Sequence, residues 1–222
     1  VKFASEDRVD RPADPELLTL KAMKTIAQSD VIVAPDSGAG ENIALMIAAD
    51  YIKEKEIAEI KMPMIKEKAE LEKYHDQAAF DISKRLEEGK NVAFLTLGDP
   101  TVYSTVMYVH KSIKEMGYQT EVIPGVPSFC AAAAALGQTL CMRDEMLHVV
   151  PATFQDVDRV LDLPGTKVLM KSGKTMAKLK EKLQGKTVMA VECATMKNQK
   201  IYKTSEELDE TMSYFSVVIV PE

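Results

Sequence analysis

Hydrophobic and polar positions along this chain follow two alternating rhythms: short apolar runs of strand length, and longer stretches with a helical period. Leu17, Leu18, Ala22 and Ile26 recur at helical spacing behind Asp14-Pro15-Glu16. That tripeptide is a start signal, with a carboxylate acceptor at the N-cap and proline at the first helical position. Residues 31–34 then read as a buried strand, 41–53 as a helix and 57–62 as a second strand. Over 68–88 the positions Leu71, His75, Ala78, Ile82 and Leu86 share one helical face, with Gly89 as the stop. The apolar run 92–97 ends in Gly98-Asp99-Pro100, a second Asp-Pro junction, and a helix is predicted from there to 116. A third strand at 120–123 leads into Pro124-Gly125-Val126-Pro127-Ser128 and an alanine-rich helix through Leu136. Strand, turn and helix in repetition predict a parallel sheet with crossover helices.

The rhythm breaks at 137–145, a mixed polar segment, and the domain boundary is placed there: an N-terminal α/β domain over 1–138 and a C-terminal α/β domain over 139–222. In the second, strands are predicted at 147–150, 167–170, 188–191, 200–203 and 215–220, with helices at 157–161, 174–183 and 205–211. More strands than helices predict a mixed sheet. The fold class is therefore α/β, with two α/β domains.

Composition narrows the function. The 222 residues are 46% hydrophobic and 28% charged, enough for real cores. A net charge of −6 argues against a broad phosphate-facing surface for nucleic acid. Cys130, Cys141 and Cys193 are far apart, without zinc spacing or an even count, which fits a reducing compartment. No apolar stretch reaches membrane-spanning length, and Glu6, Asp7 and Arg8 replace the apolar core of a signal peptide. A cytoplasmic protein without membrane attachment is expected.

The chemistry points to the strand-end turns. In open α/β sheets ligands bind beyond the carboxyl ends of the strands, so the loops 97–103 and 124–128 are candidate rims of one pocket. Asp99 is either a helix cap alone or a cap that also serves a ligand. Neither loop matches a glycine-rich phosphate cradle, and Ser37-Gly38-Ala39-Gly40 reads as a flexible loop before a helix. Backbone amides, Asp99 and hydroxyls without such a cradle suit a nucleoside-containing ligand that lacks phosphates. His75, on an apolar helix face, reads as a buried histidine rather than a ligand. His110 and His148 have no partners at metal spacing, so no protein-bound metal is expected.

Three segments, Asp14-Pro15-Glu16-Leu17-Leu18-Thr19, Leu97-Gly98-Asp99-Pro100-Thr101-Val102-Tyr103-Ser104-Thr105 and Pro124-Gly125-Val126-Pro127-Ser128-Phe129-Cys130, resemble the ordered motifs of the tetrapyrrole (corrin and porphyrin) methylases. With Met62-Pro63-Met64 and the helix that follows, the second segment is similar to the branch that methylates C-20 of precorrin-2 or cobalt-precorrin-2. The resemblance runs from Asp14 to Pro221. It implies a methyl donor, S-adenosylmethionine, that becomes S-adenosylhomocysteine and lies folded in the cleft between the domains. The cofactor contacts it implies are Pro12, Leu97, Gly98, Asp99, Val102, Tyr103, Pro127 and Ser128, with Met170 and Ala194 from the second half. Met170 by itself would read as a core methionine.

The resemblance further implies a small-molecule tetrapyrrole substrate, any cobalt arriving inside it, and a homodimer. Because such a substrate carries many carboxylates, Arg11, Lys66, Arg143, Lys171 and Lys174 are candidate substrate contacts. A proton must leave the ring after methylation, and Asp99 and Tyr103 are the candidate catalytic residues. Relatives begin with an apolar strand running into Gly-x-Gly-Pro-Gly-Asp-Pro. Here Val9-Asp10-Arg11-Pro12-Ala13-Asp14-Pro15 stands instead, behind a charge run that a central buried strand cannot carry. The first strand is therefore expected to be missing or remade, or this end to be non-native. Alternatives at this stage are a tetrapyrrole methylase of another intermediate, and a non-catalytic nucleotide-binding α/β protein.

Overall fold

The computed structural model describes residues 14–222 apart from Ala39, Glu41, Met64, Lys66 and the side chain of Lys174. Two compact units emerge, residues 14–126 and 127–222. The division falls ahead of the polar segment 137–145, because helix α5 (Ser128–Leu136), with Ala132 and Ala133 buried, packs on strands of the C-terminal unit.

The first unit is built on a parallel sheet of order β2-β1-β3, with β1 Val31–Asp36, β2 Glu56–Lys61 and β3 Val92–Phe94. Val31, Ile32, Val33 and Ala34 are completely buried, as a central strand covered on both faces must be. Alternation splits them. Val31 and Val33 pack with Ala58, Ile60, Ala78, Ile82, Val109 and Ile113, against α3 (Lys68–Glu87) and α4 (Val106–Glu115). Ile32 packs on the other face with Ile26 of α1 (Leu20–Gln28), Ala48 of α2 (Ile43–Ala48), Ile52 and Ala93. The long helix α3 matches its predicted span to within a residue and buries His75, Ala78 and Ile82.

The second unit carries the mixed sheet, of order β4-β5-β8-β6-β7. Its strands are β4 Leu147–Pro151, β5 Thr166–Met170, β6 Met189–Glu192, β7 Lys200–Tyr202 and β8 Ser216–Val220. Only β4 and β5 pair in parallel; β8 runs antiparallel between β5 and β6. Leu169 and Val218 join α6 (Val157–Leu161) and α7 (Met176–Leu183) in one core.

Three expectations differ from the structure. Both Asp-Pro junctions open short turns rather than α-helices: a 3-10 turn over Pro15–Leu17 precedes α1, whose N-cap is Thr19, and α4 starts only at Val106. Residues 120–123 pair with no strand among the described residues. Residues 205–211 form turns rather than a helix, and Asp209 Oδ1 accepts the Thr211 N–H that a helix would have used.

Candidate functional site

Asp99 organises the turn beyond β3. Its Oδ1 accepts from the Thr101 backbone N–H at 2.8 Å and from the Thr101 hydroxyl at 2.5 Å, and its Oδ2 accepts from the Gly125 N–H at 3.0 Å. The carboxylate thus closes its own turn and pins a second loop to it. The Thr101 hydroxyl, then the Thr101 and Gly125 amides, hold Asp99 below its ordinary value of 3.8, because each donor favours the charged form. Gly125 must be glycine: a Cβ there would lie 2.2 Å from the Gly98 carbonyl oxygen. Two backbones therefore meet with no side chain between them. Thr19 Oγ1 donates to the Pro124 carbonyl at 3.4 Å, and the Thr96 and Ser104 hydroxyls are 2.9 Å apart.

The rim of this turn is open. Leu97 is 38% and Tyr103 45% exposed, Gly98 has φ +72° and Tyr103 φ +51°. A left-handed tyrosine is an uncommon conformation that surrounding bonds must impose. Pro100, by contrast, is buried.

The lowered Asp99 pKa makes a prediction. A folded-state pKa below the unfolded one stabilises the turn fully above 3.8 and loses that contribution as pH falls through the lowered value. The Gly125 amide proton resonance should hold from neutral pH down to the ordinary carboxylate range and move only below it. A titration midpoint above 3.8 would contradict this hydrogen-bond set.

In the second unit the strand ends form another cluster. Met170 and Val191 both register with Val217, so the loops after β5 and β6 flank the start of β8. Met170 is 8% exposed, and Ala194 is half-buried between Cys193 and Thr195, both left-handed at φ +51° and +66°. Lys171, also left-handed, lies with its Nζ 5.7 Å from the Tyr214 ring centroid. Ser172 Oγ is buried without a partner among the described residues.

Residues 12–209 match the family model described as Tetrapyrrole (Corrin/Porphyrin) Methylases. The chain belongs to the tetrapyrrole methylase family. It is 37% identical over 213 residues to a Methanocaldococcus jannaschii protein named probable cobalt-precorrin-2 C(20)-methyltransferase, covering 93% of this chain and 91% of that one. It is 30% identical to a Sinorhizobium precorrin-2 C(20)-methyltransferase, covering 95% and 91%. The X-ray structure of a cobalt precorrin-4 methyltransferase, 24% identical, superposes with a TM-score of 0.72 over 95% of this chain and 91% of its own, and so shares the fold.

In this tetrapyrrole methylase the first unit brings Leu97, Gly98, Asp99, Val102 and Tyr103 together on one turn, with the Val102 N–H donating to the Asp99 carbonyl at 3.1 Å. Pro127 caps α5 and Ser128 begins it. Met170 ends β5 and Ala194 follows β6, so both stand beside the start of β8. Arg143 is exposed at φ +51°. Arg11, Pro12 and Lys66, and the side chain of Lys174, lie outside what is described. His75 is buried and stacked on Tyr108 at 4.8 Å and 4° between planes, and burial pushes its pKa down. His110 Nε2 pairs with the Thr120 hydroxyl at 3.0 Å, and His148 Nε2 with the Pro164 carbonyl at 2.9 Å. Thr101 and Gly125 were absent from the predicted site residues, although both stand inside the motifs that define it. Glycine twice and an Asx-turn sequence are the signals that point to them.

Proposed function

We propose that this tetrapyrrole methylase transfers the methyl group of S-adenosylmethionine to C-20 of precorrin-2 or cobalt-precorrin-2, in cobalamin biosynthesis. The observation that carries this reading is the 37% identity over 213 residues to a relative named for that reaction. The first-unit turn fits the donor chemically. It offers the exposed residues Leu97 and Gly98 and a carboxylate already committed to N–H donors, with no cationic phosphate cradle.

The sulfonium supplies an electrophilic methyl carbon, so the protein's task is to hold that carbon in line with the ring carbon and to keep water out. Leu97, Gly98, Asp99, Val102, Tyr103, Pro127, Ser128, Met170 and Ala194 are the proposed donor contacts within the described residues. Asp99 acts by fixing the turn. Asp99 and Tyr103, which is exposed on the rim, are also the proposed groups that assist proton departure, directly or through water. Arg143 and Lys171 are proposed to meet substrate carboxylates. The enzyme is proposed to work in the cytoplasm, in keeping with cysteines that lack disulfide or zinc spacing, and as a homodimer, as the family resemblance implies.

Calorimetric titration tests the donor. S-adenosylhomocysteine should bind with one site per chain while ATP and NAD do not. Equal affinity for all three would return the chain to the general nucleotide binders.

A further inference from the structure

Strand β6 ends in a carboxylate that the sheet buries. Glu192 is 8% exposed, and burying a carboxylate is costly unless its oxygens are hydrogen-bonded. Both are. Oε2 accepts from the Tyr202 hydroxyl at 3.1 Å and Oε1 from the Ser213 backbone N–H at 2.7 Å, while Lys200, its cross-strand partner, stays 62% exposed with Nζ 3.9 Å away. Burial first, and then the Glu192 bond, push the Tyr202 pKa up to about 12, so the hydroxyl remains a donor across the working pH range.

The segment that Glu192 grips also carries its neighbours. Cys193 donates its N–H to the Phe215 carbonyl at 2.9 Å, and its Sγ lies 3.6 Å from the Ser213 hydroxyl. Gln199 Oε1 accepts from the Thr195 N–H at 2.7 Å, and Met196 N–H donates to the Cys193 carbonyl at 2.9 Å. These bonds hold two left-handed, non-glycine residues on either side of Ala194, a conformation that persists only where its surroundings over-determine it. On the far side of β8 the loop after Met170 leans on the same segment. A Cβ at Gly173 would lie 2.7 Å from the Ser213 carbonyl carbon and 2.8 Å from its oxygen. Ser213 is thus shared by the turn that carries Ala194 and the loop that follows Met170.

We propose that Glu192 is a positioning residue for the methyl donor: its carboxylate, bridging the Tyr202 hydroxyl and the Ser213 amide, fixes the left-handed turn that presents Ala194 and the segment against which the Met170 loop rests. This rests on the donor reading given above. Buried and bonded to Tyr202 and Ser213, Glu192 acts through these two loops. A lost carboxylate therefore weakens donor binding and leaves the chemical step intact once donor is bound.

The test compares Glu192→Leu, Glu192→Gln and Tyr202→Phe in the full chain, reading S-adenosylhomocysteine affinity by calorimetry, KM and kcat for methyl transfer, and thermal melting. Leucine should raise the donor Kd and KM by about tenfold, the scale of one lost buried hydrogen bond, with kcat at saturating donor and KM for the tetrapyrrole unchanged. Glutamine keeps an acceptor for the Ser213 N–H and should restore most of the affinity. A folded Glu192→Leu protein with unchanged donor KM, or one that loses kcat instead, overturns the proposal. Should leucine prevent folding, Tyr202→Phe decides: a donor Kd raised by about threefold supports the role, and an unchanged Kd overturns it. Loss of binding by the unsubstituted protein would overturn the donor reading itself, an outcome distinct from tight binding that no variant alters.

Discussion

Replacing Asp99 with alanine should weaken S-adenosylhomocysteine binding by about a hundredfold while the protein stays folded. The carboxylate accepts from the Thr101 N–H, the Thr101 hydroxyl and the Gly125 N–H. Hydrogen bonds to a charged group are each worth about 1.5–3 kcal/mol, and partial exposure of this turn reduces that figure. Water takes over the donors at modest cost to the fold, but nothing then holds the 97–103 turn to the 124–125 loop. Affinity suffers because the ligand must order the turn on binding. Asparagine at the same position keeps one acceptor oxygen and should lose about tenfold, between alanine and the native residue. Calorimetry across the three proteins checks the series, and alanine with unchanged affinity would remove Asp99 from the donor site.

Gly125→Ala should be the most damaging conservative change in the first unit. The new methyl group would stand 2.2 Å from the Gly98 carbonyl oxygen, 3.1 Å from its carbon and 3.5 Å from the Asp99 Cα. All three are backbone atoms, so no flexible side chain can yield. Overpacking of this kind costs about 1–3 kcal/mol, or about 5 °C in Tm for a chain of this length. The strain is relieved by parting the two loops, which also breaks the Gly125 N–H bond to Asp99. Donor affinity should therefore fall at least tenfold, roughly the effect of that one charged hydrogen bond. Scanning calorimetry with and without S-adenosylhomocysteine measures both effects. A normal melting point with normal ligand stabilisation would mean that the two loops do not need this contact.

Much of this was legible in the sequence where a single element decides its own fate. The four fully buried residues of β1, the 20-residue helix α3 and the strands of the second sheet follow from hydrophobic period alone. The turn chemistry was legible in part: Asp99 is a capping carboxylate, but the helix predicted directly behind it starts only at Val106, after a side-chain-closed turn. What stayed hidden depends on partners distant in sequence. Helix α5 joins the second unit because of where β6 and β8 lie, which no local pattern encodes. Residues 120–123 have strand composition but pair with no strand among the described residues. Glu192 stands in the segment Val191-Glu192-Cys193-Ala194-Thr195, whose local sequence does not say which way its carboxylate lies. Only the sheet register, with Tyr202 and the Ser213 segment, shows it to be buried and bonded. The unusual N-terminal sequence, including Arg11 and Pro12, lies outside the described residues.

Position-resolved methyl transfer tests the central claim most directly. The protein is incubated with methyl-labelled S-adenosylmethionine and, side by side, precorrin-2, cobalt-precorrin-2 and uroporphyrinogen, and the products are read by mass spectrometry and carbon NMR. The account predicts one labelled methyl group on precorrin-2 or its cobalt complex, attached at C-20, with unmodified uroporphyrinogen. Label on uroporphyrinogen alone, or at a ring position other than C-20, would contradict it.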